Sequence, residues 1–200
     1  MESGRRRGML AISPVVVAVR DLAELPRALA TSHETIFLLS TNLNTVTGAV
    51  EQVKRSGRQV FVHIDLVDGL GKDGPALQWI AETVRPTGIL TTRAPLISRA
   101  RNQGLITVQR IFLIDSQSVH TGLQLAREAK PDFLEVLPGI IPETTRQLVR
   151  EAPCPIIAGG LCTTPAHYHA ARQAGAVAIS TSSHALWDYR TEKEVAKLRS

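Results

Sequence analysis

The chain has 200 residues, 44% of them hydrophobic and 4% aromatic, with 23 Lys and Arg against 18 Asp and Glu for a formal net charge of +5. That length supports one sizeable core and is short for two, and a core so poor in aromatics must be built from Val, Ile, Leu and Ala, as in parallel sheets covered by helices. No run of about 18 apolar residues and no apolar signal core near the N-terminus occur, which argues against a membrane span or secretory leader and for a cytoplasmic location.

Residues 1–12, with Arg5, Arg6 and Arg7, read as a basic arm expected to be mobile. A single domain follows over 13–200. Its first strand is Val15 to Val19, followed by a helix over Leu22 to Ala30, then Ile36 to Leu39 with Thr45 to Arg55. Gln59 to Ile64 pairs with Gly74 to Val84, Gly88 to Leu90 with Pro95 to Gln103, and Leu105 to Ile114 with Ser118 to Ala129. Phe133 to Leu137 with Pro142 to Glu151, Pro155 to Ala158 with Pro165 to Gln173, and Val177 to Ser180 with a C-terminal helix complete the series. Such alternation predicts an α/β fold, a compact single-domain (β/α)8 barrel of the TIM type. Pro95, Pro142 and Pro165 fall in expected first helical turns, and Gly57, Gly104 and Gly175 where helices should stop. An open doubly wound sheet is the alternative, but no Gly-x-Gly-x-x-Gly follows the first strand.

Cys154 and Cys162 flank an extended segment at ~3.3 Å per residue, beyond disulfide reach, so reduced thiols are expected. No His/Cys cluster has metal-ligand spacing; His167 and His169 point to different sides of a helix. No metal and no cofactor is implied.

In a barrel, ligand-facing residues lie at the carboxyl ends of the strands. There, Gly159-Gly160 and Ser180-Thr181-Ser182 end the last two strands. Small residues at this place commonly let backbone amides reach a phosphate near a short helix, although each segment alone reads equally as a tight turn or an N-cap. His63 and Asp65 share a face by the period of two, and Thr91, Thr92, Arg110, Asp115 and Glu135 hold equivalent positions. His63 with Asp65 or Glu135 could act as acid and base, or these groups and Arg110 could satisfy one another as a buried network. Lys54, Lys72, Lys130, Lys193 and Lys197 fall outside inward strand positions, which disfavours Schiff-base chemistry. The excess of arginine, including Lys54, Arg55 and Arg58 together and Arg93, Arg99 and Arg101 in one unit, favours a polyanionic partner or simply makes solvated faces.

The runs Phe61 to Leu70, Gly88 to Arg93, Gln109 to Ser116, Glu135 to Gly139 and Ile157 to Gly160, with Ser180-Thr181-Ser182 and Leu186-Trp187, are too specific for a generic barrel. Together they resemble the bacterial glycerol-3-phosphate-responsive antiterminator family, regulators of glycerol uptake and glycerol-3-phosphate dehydrogenase operons. The resemblance implies a non-enzymatic sensor of glycerol 3-phosphate that acts on leader mRNA, favours terminator read-through and stabilises the transcript. It places Gly159, Gly160, Thr181 and Ser182 around the phosphate, and His63, Asp65, Arg110 and Glu135 near the glycerol moiety or in the mouth network. RNA contact would fall to arginines, with Arg5, Arg6, Arg7, Arg93, Arg99 and Arg101 as candidates and a homodimer as the commonest assembly. Two departures stand out: Leu39-Ser40-Thr41-Asn42 lacks the acid relatives often carry, and Thr163 stands where many have a basic residue. A phosphosugar isomerase or epimerase on the same phosphate site is the alternative, and a barrel regulating through a protein partner a third.

Overall fold

Val15–Val19 is apolar at every position and buried on both faces, as a parallel barrel strand must be. In the structure, a computed structural model that describes residues 12–191, this segment is β1. It is followed by α1 (Leu25–Leu29), β2 (Thr35–Leu38), β3 (Thr41–Asn42), α2 (Val46–Arg55), β4 (Gln59–His63), β5 (Val67–Asp68) and α3 (Gly74–Trp79). Then come β6 (Gly88–Thr91), α4 (Ala94–Asn102), β7 (Ile106–Phe112), α5 (Ser116–Ala129), β8 (Phe133–Leu137) and α6 (Pro142–Glu151). The last elements are β9 (Ile156–Gly159), α7 (Pro165–Gln173), β10 (Ala178–Thr181) and α8 (His184–Trp187).

Eight strands close a parallel barrel in the order β1-β10-β9-β8-β7-β6-β4-β2. Alternate residues divide between its two faces. Val16, Phe37, Phe61, Leu90, Val108, Phe133, Ile157 and Ala178 fill the interior, where the Phe37 and Phe61 rings lie 5.3 Å apart. Their strand neighbours face outward to the helices, Val17, Ile36, Val62 and Ile89 on one side and Leu134, Val136, Ala158 and Ile179 on the other.

Helix boundaries follow local chemistry. Asp115 accepts from the Ser118 amide at 2.7 Å while the Ser118 hydroxyl accepts from the Asp115 amide, a reciprocal box that starts α5. Asp115 is thus a helix cap and not a group of the mouth, as its strand-end position had implied. Pro95, Pro142 and Pro165 do stand in first turns, and Gly57, Gly104 and Gly175 take positive φ after α2, α4 and α7.

Other boundaries differ from the sequence expectation. The first helical stretch splits into a 3-10 turn over Leu22–Glu24 and α1, and the third widens into a π turn over Ile80–Val84. Leu105 and Leu113–Ile114 fall outside β7. A two-stranded parallel sheet, β3 with β5, lies beyond the ends of β2 and β4 and had no signal in the pattern, since each strand has only two residues. The expected N-terminal arm, including Arg5, Arg6 and Arg7, lies outside the described residues, as do Lys193 and Lys197. No helix among the described residues is long and apolar enough to cross a membrane.

Candidate functional site

One step beyond the apolar interior, the period of two turns His63, Arg110, Glu135, Gly159 and Ser180 inward as the next layer. Register sets Arg110 beside Glu135 on adjacent strands. Arg110 Nε donates to Glu135 Oε2 at 2.6 Å, and the Ser180 hydroxyl donates to Oε1. Glu135 is fully buried, and both of its oxygens are engaged, as a buried carboxyl group requires. Gly159 makes room for this arrangement: a Cβ there would sit 2.6 Å from Ser180 Oγ and 2.8 Å from Glu135 Oε1.

Above this layer opens a cavity of about 940 Å³. Arg110 and Ser180 form its floor, and Gly160, Thr163, Ser182 and Ser183 contribute one wall. Arg20 and Ser40, after the neighbouring strands β1 and β2, continue that wall beyond β10. The remaining lining is largely apolar, with Leu66, Phe112, Ile114 and Leu161 at the rim, each exposed. Among the described residues, no carboxylate, imidazole or amine lines the cavity. Its one thiol, Cys162, is pushed up to about 11 by burial and by Glu135. Cys154, outside the cavity, is raised to about 12 by burial, and both cysteines are free.

The phosphate candidates separate by location. Gly160 and Ser182 face the cavity, whereas Gly159 lies behind it against Glu135. Thr181 lines the wall but its hydroxyl donates to the Cys162 carbonyl at 2.6 Å and accepts from the Ser183 amide at 3.0 Å. The Ser183 hydroxyl donates to the Thr163 carbonyl at 3.0 Å, so the loops after β9 and β10 are fastened together. The helix after β10 has four residues.

His63 and Asp65 do not share a strand face. The strand ends at His63, and Asp65 sits in a 3-10 turn over Ile64–Leu66, whose three-residue period turns its carboxylate sideways. There Asp65 accepts from the Thr91 hydroxyl at 2.9 Å, the Thr92 amide at 2.7 Å and the Thr92 hydroxyl at 2.9 Å, with Arg93 Nε at 3.7 Å. Lys72 Nζ donates to the Ile64 carbonyl at 3.0 Å and so braces the same turn.

His63 is buried, its Nδ1 without a hydrogen bond and 4.0 Å from Asp65 Oδ2. Burial, aided by the Arg110 cation and then opposed by Asp65, lowers its pKa to about 4. An unfolded chain takes up this proton near pH 6.5 and the folded chain only near 4, so stability should fall as pH drops through that window. The loss is about 3 kcal/mol at most. Urea denaturation at pH 7 and pH 4.5 should show the wild type losing more on acidification than His63→Asn; equal losses would refute the buried neutral state.

Of the candidate RNA-binding arginines, Arg93, Arg99 and Arg101 fall within the described residues. Arg93 is half-exposed beside the mouth, while Arg101, near the other end of α4, donates to the Lys130 carbonyl. At 1.5 Å per helical residue the two positions lie ~12 Å apart along the axis. Arg99 lies over the start of α3, its Nη1 2.8 Å from where a Cβ on Gly74 would be. Arg58 closes on the Thr31 and His33 carbonyls at 2.7 and 3.0 Å, a tie within the fold. Arg20 was missed, although it continues the inward series Val16, Ala18, as Phe112 continues Val108, Arg110.

The model of the glycerol-3-phosphate responsive antiterminator family matches residues 15–187. A solved glycerol uptake operon antiterminator regulatory protein from Listeria monocytogenes is 30% identical, with a TM-score of 0.87 over 90% of this chain and 98% of that one. An antiterminator-related protein from Thermotoga maritima is 27% identical, with a TM-score of 0.79 over 90% and 100% of the two chains. The Escherichia coli protein YgcP, which carries no assigned function, is 31% identical over 90% of this chain and 94% of its own. The match spans every strand of the barrel and both sides of its mouth, and the chain belongs to the glycerol-3-phosphate responsive antiterminator family.

Proposed function

We propose that this chain senses glycerol 3-phosphate in the barrel mouth and acts on the leader mRNA of a glycerol-utilisation operon, promoting terminator read-through and stabilising the transcript. The carrying observation is the composition of the cavity: two arginines, hydroxyls and a glycine-lined wall, without an acid or base that titrates in the ordinary range. Such a lining binds an anion and has little with which to turn it over. In this reading Arg110, oriented by Glu135, meets the phosphate with Gly160 and Ser182. Thr181 latches the wall, and Gly159, His63 and Asp65 support the floor from behind.

RNA contact falls to basic groups around the mouth, Arg20 and Arg93 first, in a protein working in the cytoplasm. Asp65 joins the Thr91–Arg93 segment to the layer that holds Arg110, a physical route from ligand to Arg93. A ligand that shifts a two-state equilibrium tenfold needs ~1.4 kcal/mol of differential binding.

Glycerol 3-phosphate at ~100 times its Kd should add about 2.7 kcal/mol to stability, read as a rise in melting temperature that glycerol and inorganic phosphate do not reproduce. Leader RNA binding titrated against salt, with and without glycerol 3-phosphate, tests the output. Ligand-independent RNA affinity would sink the switch, and turnover of triose or pentose phosphates would favour an isomerase instead.

A further inference from the structure

Nine large apolar side chains are exposed among the described residues, and all but Leu125 and Val149 stand at or just beyond the carboxyl ends of the barrel strands. Scattered surface leucines need no explanation, but a ring of them at one end of a barrel does. Four of these, Leu66, Phe112, Ile114 and Leu161, line the same cavity as Arg110, with Ile114 82% and Leu161 66% exposed. They converge on a concavity and do not spread over a flat face.

Leu161 adds an independent sign. Its φ of +60° is left-handed, and it follows Gly160, also left-handed at +69°. Glycine or asparagine takes this conformation with less strain than leucine. The other non-glycine residues with positive φ, Arg85 and Lys130, close helices in the usual way, whereas Leu161 closes none. A strained apolar residue held in the open at the cavity rim is a mark of function.

The cavity is also large for its proposed ligand. At about 940 Å³ it lies near the top of the range of roughly 300–1,000 Å³ that encloses drug-sized molecules. A three-carbon phosphoester on the floor would leave the rim side chains in water.

We propose that the mouth accepts glycerol 3-phosphate carrying an apolar substituent, the class of acylated glycerol phosphates, with the phosphate on the Arg110 floor and the chain laid along Leu66, Phe112, Ile114 and Leu161. This rests on the phosphate-floor reading above and extends it to the ligand's other end. The site is amphipathic as such a molecule requires, with Arg110 and Ser180 at its floor and the four apolar side chains sharing its rim with Arg20, Ser40, Thr163 and Ser182. A chain buried against these residues gains affinity in proportion to the apolar area removed from water.

Calorimetric titration of the full chain with glycerol 3-phosphate, 1-octanoyl-glycerol 3-phosphate, octyl phosphate and octanoyl glycerol, each below its micellar range, tests this. The octanoyl phosphoester should bind at least tenfold tighter than glycerol 3-phosphate, and octanoyl glycerol, without phosphate, should bind far more weakly. Ile114→Ser and Phe112→Ser should each remove most of that gain while changing glycerol 3-phosphate affinity less than twofold. Leu161→Asn should raise the melting temperature yet lower the preference for the acylated ligand, a combination that a purely structural leucine would not give. If glycerol 3-phosphate binds and the acyl chain adds nothing, the extension is wrong and the sensor reading stands. If no phosphoester binds, both fall. A dimer that Ile114→Ser dissociates, with no acyl preference, would mean that a second copy covers the rim, and would overturn the proposal.

Discussion

Replacing Arg110 by methionine is expected to destabilise the protein by about 3–5 kcal/mol and to abolish its thermal response to glycerol 3-phosphate. The size follows from Glu135, which is fully buried and whose two oxygens are held by Arg110 and Ser180. Removing the guanidinium strands that carboxylate inside the barrel, and a broken buried pair costs far more than a surface one. For a domain of this size each kcal/mol moves the melting temperature by roughly 2–4 °C, so a fall of about 10 °C is anticipated. The double variant Arg110→Met with Glu135→Leu should recover much of the stability, because two apolar groups of similar volume replace the pair, but none of the ligand response. Denaturation of the four forms measures the coupling directly. A loss below about 1 kcal/mol in the single variant would mean that Glu135 is not paired as the geometry has it.

Gly159→Ala should be the next most damaging change. Its methyl would meet Ser180 Oγ at 2.6 Å and Glu135 Oε1 at 2.8 Å, both well inside contact distance and both in the buried layer. Either β9 shifts away from β10, with which it is in register at Ser180↔Gly159, or the carboxylate swings off Arg110. Overpacking of this kind typically costs about 1–3 kcal/mol, and here the displaced atom is charged, which puts the expectation at the upper end. Because the carboxylate orients Arg110, ligand affinity should fall along with stability. Gly159→Ala with Ser180→Ala opens space and should restore part of the stability. If the single variant is as stable as the wild type, the barrel is more compliant at this layer than its packing implies.

The barrel itself could be read from the chain because each strand is largely buried on both sides and therefore mostly apolar, and because proline and glycine punctuate the helices. Where an element is too short to have a period, reading failed: β3 and β5 carry two residues each. Asp65 shows a subtler limit. Its spacing from His63 is that of a strand, but the strand stops at His63 and a 3-10 turn takes over, which no side-chain alternation signals. The pairing of Arg110 with Glu135 was legible within one of two alternatives, a network of those two with His63 and Asp65, since inward polar groups on neighbouring strands must meet something. Ser180, read as part of a phosphate or N-cap cluster, was not expected in it. The burial of His63 below cavity reach was not legible, because depth along a strand depends on the barrel's register. Arginines were the least legible. Arg58 and Arg101 reach backbone carbonyls of other elements, and nothing in their local sequence distinguishes them from the half-exposed Arg93.

The pairing of β1 with β10, through Val15↔Ile179, Val16↔Ser180 and Val17↔Thr181, closes the ring with the last strand of the chain. A nascent polypeptide cut before Ala178 would leave β1 and β9 as open edges, able to pair with other chains and slow to fold. It would also lack Ser180, one of the two donors that hold Glu135, and the Trp187 indole that donates to the Thr181 carbonyl at 2.8 Å. The floor of the mouth therefore assembles only once β10 has joined β1. Closing the barrel and engaging Glu135 are thus a single event, since the strand that seals the ring also carries the hydroxyl that holds the carboxylate.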